Sequence, residues 1–209
     1  MSSKIFTVVR WGMKTTPYHH GDLPKALLEA GETILRRDGI AALTLRAVAR
    51  EAGVSHAAPA PHFKDLTGLL SELAAVGHHR LADDIQAGLD PANTKYAGPA
   101  RAYIGFAKEN PELFRLMSSN HRLDGQRPSL RDARLRSMQA LALSRNTTIE
   151  NPDAEAVARM AASWSLVHGF ASLMIDGRFG SLLRAAPPGT TEADLLDAVL
   201  DSSRRANWP

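Results

Sequence analysis

Apolar residues recur at helical spacing along most of the chain, and this periodicity constrains the fold more than any other feature. Leu23, Leu27, Ala30 and Ile34 lie three or four residues apart, as residues on one face of a helix do. Similar patterns cover 44–52, 65–89, 102–110, 111–119, 130–146, 152–176 and 190–205. No segment shows the apolar–polar alternation of a half-buried strand. The sequence therefore predicts an all-α fold of about nine helices.

The composition excludes several classes of protein. A chain of 209 residues with 44% hydrophobic and 22% charged residues is ordinary for a soluble globular protein. No apolar run approaches the ~20 residues that a membrane-spanning helix needs. Cysteine is absent, which excludes disulfides and thiolate chemistry. We expect a cytoplasmic protein without membrane association, and we expect residues 1–17 to be a flexible segment.

The charge is unevenly distributed along the chain. The net charge of the whole chain is +3. Residues 1–64 carry nine Lys and Arg against five Asp and Glu, a net charge of +4. The remaining residues carry sixteen against seventeen, which gives −1. A basic N-terminal third is typical of a protein with a polyanionic partner. A chance excess of a few charges would look the same, so charge alone leaves both interpretations open.

The segment TLRAVAREAGVS at 44–55 has the spacing of a helix-turn-helix. Thr44 is a suitable N-cap for a first helix, and Ala49 is small enough to let two helices approach closely. Four residues later Gly53 permits a turn with positive φ, and Ser55 is a suitable N-cap for the next helix. Any two helices joined through a glycine could show this pattern, so the spacing alone does not establish DNA binding.

The residues around this segment resemble a known family. YHHGDLPKALLEAGETILRRDGIAALTLRAVAREAGVSHAAPAPHFKDLTGLL (18–70) resembles the N-terminal DNA-binding domain of TetR/AcrR-type transcriptional regulators. AYIGFAKENPELFRLM (102–117) and WSLVHGFASLMIDGRF (164–179) are similar to the C-terminal domain of the subgroup named for its Trp-His-Gly motif. The resemblance implies a three-helix DNA-binding domain at 18–64 and an effector-binding and dimerisation domain at 65–209. It further implies a homodimeric regulator, a repressor by our interpretation, on a palindrome-like double-stranded DNA operator.

The resemblance also implies which residues contact DNA. The residues expected on phosphates are Thr44, Arg46, His62 and Lys64, and those at the start of the recognition helix are Ser55, His56, Ala57 and Ala58. Two prolines interrupt that helix. With Ser55 as N-cap, Pro59 occupies the fourth helical position, and Pro61 removes the N–H that would bond to Ala57. We therefore expect one tight helical turn followed by a distorted one.

Two positions depart from the family pattern and keep a second hypothesis open. Ala60 stands where the family usually has a tyrosine on a phosphate, and Leu66 stands where a lysine is usual. Because phosphate contacts dominate affinity for DNA, these losses should weaken binding. The alternative is a helical dimeric small-molecule binding protein of the same fold that has lost operator binding.

The C-terminal region suggests an effector pocket and a dimer interface. A small hydrophobic or aromatic effector is expected among mostly aromatic residues of 99–117 and 152–176: Tyr103, Phe106, Phe114, Met117, Trp164 and His168. A core tryptophan beside a buried, hydrogen-bonded histidine explains Trp164 and His168 equally well. The helix at 152–176 also carries a seam predicted to pack in a four-helix bundle with 190–205 and their symmetry mates, namely Met160, Val167, Gly169, Ala171 and Met174.

Motifs for catalysis and for metal binding are missing from the sequence. There is no G-x-S-x-G, no P-loop and no G-x-G-x-x-G. The adjacent histidines 19–20 and 78–79 point to different helix faces and lack the spacing of a chelating pair. We therefore predict no catalytic residue, no metal site and no cofactor.

Overall fold

The computed structural model describes residues 22–90, 92, 98–144 and 149–205. These residues form ten α-helices and two short 3₁₀ turns, at Ile40–Ala42 and Asn120–Arg122, with no β-strand among them. The helices are α1 (Leu23–Asp38), α2 (Leu45–Glu51), α3 (Ala60–Phe63), α4 (Leu66–Ala87), α5 (Pro99–Glu109), α6 (Pro111–Ser118), α7 (Pro128–Leu143), α8 (Ala154–Ile175), α9 (Gly180–Ala185) and α10 (Glu192–Arg205). The all-α prediction is confirmed, whereas the segment predicted to be flexible at 1–17 lies outside the described residues.

Several helices begin where a side chain or a proline satisfies the helix start. The Thr44 hydroxyl accepts the Ala47 N–H at 3.0 Å, and the Asp65 carboxylate accepts the Gly68 N–H at 2.9 Å. Asp153 caps α8 in the same way. Helices α5, α6 and α7 begin with proline, whose missing N–H has no partner to lose at a first helical position. The helix boundaries therefore follow from local sequence.

Helix α4 forms the centre of the fold. Its Leu69, Leu73 and Ile85 are almost completely buried, and it packs against α1, α3, α5, α6 and α7. Helices α1 and α2 lie side by side through buried Leu27 and Val48, and α8 packs against α5. One hydrophobic core runs from α1 through α4 to α8. Because α4 contacts α1 and α3 as well as α5, α6 and α7, it connects the helix-turn-helix with the C-terminal helices.

The sequence pattern missed α9, a helix of six residues. A helix this short spans fewer than two turns, so it produces little periodicity. Among the described residues, no helix is both long enough and apolar enough to cross a lipid bilayer.

Candidate nucleic-acid interface

The first helix of the predicted helix-turn-helix ends in a tight turn. At its end the Val54 N–H donates to the Ala49 carbonyl at 2.9 Å, and Gly53 has a φ of 69°, which suits glycine. The side chain of Ala49 is completely buried at the contact between helices. After the turn, the Ser55 hydroxyl accepts the Ala57 N–H at 3.2 Å. Ala49 and Gly53 therefore do what their spacing indicated, whereas the Ser55 hydroxyl closes a local turn and does not cap a helix.

The recognition helix begins later than the sequence suggested. The tight turn at Ser55–Ala58 is present, closed by a bond of 3.0 Å from the Ala58 N–H to the Ser55 carbonyl. Regular helix, however, begins only at Ala60 and lasts four residues. The expectation of a helix running from Ser55 is wrong, because Pro59 and Pro61 remove two of the three N–H donors at positions 59–61 that such a helix would use. Pro59 precedes the first helical residue and Pro61 is the second, where no N–H is required.

Pro59 also anchors this segment to the core. Its ring is completely buried, and Phe63, one helical turn later, is 2% exposed. Their burial fixes one face of the segment against α4, with which α3 is in contact. The opposite face therefore points to solvent.

Most residues predicted to contact DNA are exposed to solvent. Thr44, Arg46, Ser55, His56, Ala57, His62 and Lys64 are exposed, and Ala58 is half-buried. We call the exposed surface formed by α2, the turn 55–58, α3 and its C-cap Lys64 the recognition surface. Ala60 and Pro61 are exposed on it as well.

The cations of the recognition surface differ from those behind it. Within the described part of the chain, Arg46, Arg50 and Lys64 have no carboxylate within ion-pair distance. Behind the surface, Arg36 and Arg37 are paired with acidic neighbours. The remaining positive charge therefore faces the solvent side of the helix-turn-helix.

The carboxylate of Glu32, behind the recognition surface, is held as an anion by arginines. Glu32 of α1 accepts two hydrogen bonds from Arg80 of α4, at 2.5 and 2.7 Å, and a third from Arg36 at 2.9 Å. The bonds from Arg80 keep the pKa of the Glu32 carboxyl below its ordinary value. This pair also ties α1 to α4, so it positions the helix-turn-helix on the central helix.

A sharp turn joins α3 to α4. Lys64 has φ 69° and ψ −60°, a region that residues other than glycine rarely adopt. Four residues later the backbone of Gly68 passes so close to Phe63 that a Cβ on Gly68 would lie 1.9 Å from the Phe63 carbonyl oxygen. Only glycine fits there, and this close approach holds the end of α3 on the first turn of α4.

Sequence reasoning missed one contact of the interface. Arg127, at the start of α7, donates from Nη2 to the His62 carbonyl of α3 at 3.4 Å. The two residues lie 65 positions apart, and nothing in the local sequence around either one indicates the pairing.

The predicted effector residues divide into two groups. Four of them form an aromatic cluster of Tyr103, Phe114, Trp164 and His168. The Tyr103 hydroxyl lies 2.9 Å from His168 Nδ1 and accepts from Trp164 Nε1 at 3.4 Å. The Phe114 ring lies 5.1 Å from the His168 ring. Phe106 and Met117 are buried in the core, and Met117 lies against α4 at Gly77.

The aromatic cluster is uncharged near neutral pH and partly open to solvent. Burial raises the pKa of Tyr103 to about 12, and burial lowers the pKa of His168 below its ordinary value. Trp164 is 49% exposed, so it forms the solvent edge of the cluster. A shallow cleft lies elsewhere, between α1 and the junction of α5 and α6, and its lining includes Glu32, Leu35 and Pro111.

The residues predicted for a dimer seam do not share one exposed face. Val167, Ala171 and Met174 are buried in the core of their own chain, where α8 packs against α5. For these three the prediction is corrected, because a repeat of three and four residues marks an apolar face but not its partner. Met160 and Gly169 are half-buried. The apolar side chains that α8 exposes are those of Val157, Trp164 and Leu173.

Comparison with known proteins identifies the fold and its family. The model of the bacterial regulatory proteins of the tetR family matches residues 27–73, and the model of the tetracyclin repressor-like C-terminal domain matches residues 97–201. The chain belongs to the TetR family of transcriptional regulators.

Solved structures agree with this assignment. A protein of unknown function from Rhodococcus sp. RHA1 is 32% identical, with a TM-score of 0.68 over 92% of this chain and 96% of that one. SCO4313, a protein predicted to be regulatory, is 20% identical, with a TM-score of 0.64 over 85% of this chain and 93% of that one, and shows the fold alone. Among curated proteins, no significant match was found.

Proposed function

We propose that this protein is a ligand-responsive, DNA-binding transcriptional regulator that acts as a homodimer in the cytoplasm, as a repressor. The recognition surface carries the proposal. It is an exposed helix-turn-helix that presents Arg46, Arg50 and Lys64, none of which is paired with a described carboxylate. Exposed cations without carboxylate partners, together with the backbone N–H groups of helix N-termini, suit the phosphates of duplex DNA.

The two parts of the recognition surface suit different components of DNA. Thr44 and Arg46 at the start of α2, with His62 and Lys64 at the end of α3, are placed for phosphates. The turn at 55–58 presents small side chains and His56. Small side chains let the backbone approach the major groove closely and contact thymine methyl groups. We therefore assign backbone positioning to the first set and sequence reading to the second.

A dimer would bring two recognition surfaces to one palindrome-like operator. Val157 and Trp164 lie on one side of α8 and Leu173 lies on another, and all three large apolar side chains are exposed, as is Leu182 of α9. Exposed large apolar side chains mark contact surfaces, and a twofold axis beside the solvent-exposed surface of α8 would generate the paired half-sites of a palindrome. We assign the dimer interface to the solvent-exposed surface of α8, with Met160 and Gly169 at its margins.

The aromatic cluster is the proposed effector site. Tyr103 and His168 supply polar atoms among aromatic rings, and Trp164 opens the cluster to solvent. Such a lining suits a small hydrophobic or aromatic compound with one polar group. An effector at this place would regulate only if it prefers one arrangement of the recognition surfaces.

One competing function has a specific observation in its favour. Ala60 and Pro61 are exposed on α3, and their side chains offer no hydrogen-bond donor or charge to a phosphate. The exposed side chain of Leu66 at the start of α4 likewise offers none. A protein that has lost operator binding would keep the fold and the aromatic cluster while acting as a small-molecule binding protein.

The two functions differ in their binding to DNA. The full chain is titrated with duplexes from the intergenic region next to its own gene and with scrambled duplexes of the same composition, at low salt. We expect at least one native duplex to bind about a thousandfold more tightly than its scrambled counterpart. Equal binding to all duplexes would favour the small-molecule binding protein.

A further inference from the structure

One guanidinium from the start of α7 joins three helices. Arg127 donates from Nη2 to the His62 carbonyl of α3 at 3.4 Å and from Nε to Glu72 of α4 at 2.5 Å. The same carboxylate oxygen accepts from the Ser129 hydroxyl at 2.9 Å. Arg127 therefore connects the recognition surface with the central helix and with α7.

The loop that carries Arg127 is itself fixed on α4. The Asp124 N–H donates to the hydroxyl of fully buried Ser71 at 2.9 Å, and that hydroxyl donates to the Thr67 carbonyl at 2.7 Å. The Arg127 N–H donates to the Asp124 carbonyl at 3.1 Å, and Pro128 begins α7 immediately afterwards. Because both the backbone and the carboxylate partner of Arg127 are held, its guanidinium has little freedom to leave α3.

Helix α3 has few internal bonds with which to hold its own position. It spans four residues, and prolines replace two of the donors that a longer helix would use. Its last carbonyls carry partial negative charge and need partners from outside the helix. A cation at this end both donates a hydrogen bond to a carbonyl and interacts favourably with the negative end of the helix dipole.

We propose that Arg127 is a positioning residue for DNA recognition, which orients α3 on α4 and links its orientation to the loop 119–127. Helix α6, which carries Phe114 of the aromatic cluster, leads directly into this loop. A displacement of α6 would therefore reach the recognition surface through Arg127. The inference rests on the proposed function, since it assigns a route of regulation to that function.

Amide hydrogen exchange of the DNA-free protein tests the hold of Arg127 on α3. Arg127→Gln removes the guanidinium, and Arg131→Gln, one turn further along α7 where Arg131 pairs with the neighbouring Asp132, is the matched control. We expect exchange in 58–64 to become about tenfold faster in Arg127→Gln only, with α5 and α8 unchanged. Glu72→Gln, which weakens the anchor of Arg127, should give the same pattern at smaller amplitude. Unchanged exchange in 58–64 in both Arg127→Gln and Glu72→Gln, or faster exchange throughout the chain in these variants, would overturn the proposal.

A second test uses the native duplex that binds most tightly in the titration above, called here the selected duplex. Binding to it separates a positioning role of Arg127 from a direct contact with DNA. For Arg127→Gln we expect about tenfold weaker binding with an unchanged slope of log affinity against log salt, because a positioning residue releases no counterion. A slope reduced by about 0.9 per lost contact would make Arg127 a phosphate ligand and overturn the proposal. Should the wild type bind no duplex while the exchange result is obtained, the proposed function fails and the contact of Arg127 with α3 is retained.

Discussion

At the scale of single residues, Lys64 meets two conflicting demands. Its φ of 69° and ψ of −60° belong to a region that costs a residue with a Cβ about 1–3 kcal/mol. The same residue presents an exposed ammonium group at the end of α3. A glycine would fit the turn better but would remove the cation from the recognition surface. The residue at this position therefore keeps an exposed cation in a backbone conformation that would suit glycine better.

Lys64→Gly is expected to stabilise the protein and to weaken its binding to DNA. Relief of the backbone strain should raise the free energy of unfolding by about 0.5–1 kcal/mol, measured by chemical denaturation. Loss of the cation should reduce the salt slope of DNA binding by about 0.9 for each subunit. Lys64→Ala is the matched control, since it removes the same charge and keeps the Cβ. Equal unfolding free energies for the two variants would show that the turn at Lys64 is not strained.

At the scale of elements, the α4–α7 contact buries a histidine. Ser137 of α7 donates its hydroxyl proton to the Arg134 carbonyl, so His78 of α4 donates from Nδ1 to the Ser137 oxygen at 3.0 Å. His78 Nε2 is then buried without a partner among the described residues. Burial, helped by the nearby charges of Arg134 and His79, lowers the pKa of His78 to about 4. The imidazole is therefore neutral in the folded protein at neutral pH.

Because of His78, the free energy of unfolding of the protein is expected to decrease as the pH is lowered. An unfolded histidine takes up a proton near pH 6.5, whereas folded His78 does so near pH 4. Between these values the unfolded chain binds more protons, so the free energy of unfolding decreases as the pH falls, by up to about 3 kcal/mol. His78→Gln should flatten this part of the profile, while His79→Gln, which removes an exposed imidazole, should keep it. An unchanged profile in His78→Gln would mean that another group is responsible.

Local sequence predicted most elements because their starts are set by neighbouring residues. Thr44, Asp65 and Pro111 begin helices that the structure places within a residue of the expected position. The late start of α3 was not predicted, since the second proline moved the helix start beyond Ser55 rather than distorting the helix in place. The side of α8 that is buried in its own chain was not predictable from the sequence either. The helix is apolar on two sides, and only the contact with α5 decides which of them is buried.

The candidate site was predictable only in part for a related reason. The residues of the recognition surface lie within 44–64, so one motif identified them together. Arg127 lies far from His62 in the chain, and its contact depends on how α7 folds back onto α4. Similarly, the pairing of Tyr103 with His168 depends on the packing of α5 against α8. Contacts between distant segments arise from tertiary packing, which a local pattern does not encode.

At the scale of the whole molecule, the solvent-exposed surface of α8 predicts the oligomeric state. Leu173 is 44% exposed on this surface, and Leu135 of α7 is 48% exposed outside it. If α8 forms the dimer interface, Leu173→Glu buries unpaired charges at the twofold contact, whereas Leu135→Glu places its charge in solvent. By light scattering at micromolar concentration we expect a dimer for the wild type and Leu135→Glu, and a monomer for Leu173→Glu. A dimer for all three would move the interface away from this surface.

The distribution of charge over the molecule underlies the central claim that the recognition surface binds DNA phosphates. Arg46 and Lys64 lie on this surface, while Lys108 and Arg131 are exposed cations on α5 and α7. Replacing either pair by glutamine removes the same total charge from the protein. Only the first pair should also remove phosphate contacts, because only it lies beside the helix-turn-helix.

The most direct measurement is the salt slope of binding to the selected duplex for these two double variants. For Arg46→Gln with Lys64→Gln we expect the slope to fall by about 0.9 for each lost phosphate contact, up to about 3.6 for the dimer. For Lys108→Gln with Arg131→Gln we expect the wild-type slope. Equal slopes for both double variants would contradict the account, because the recognition surface would then not face the DNA backbone.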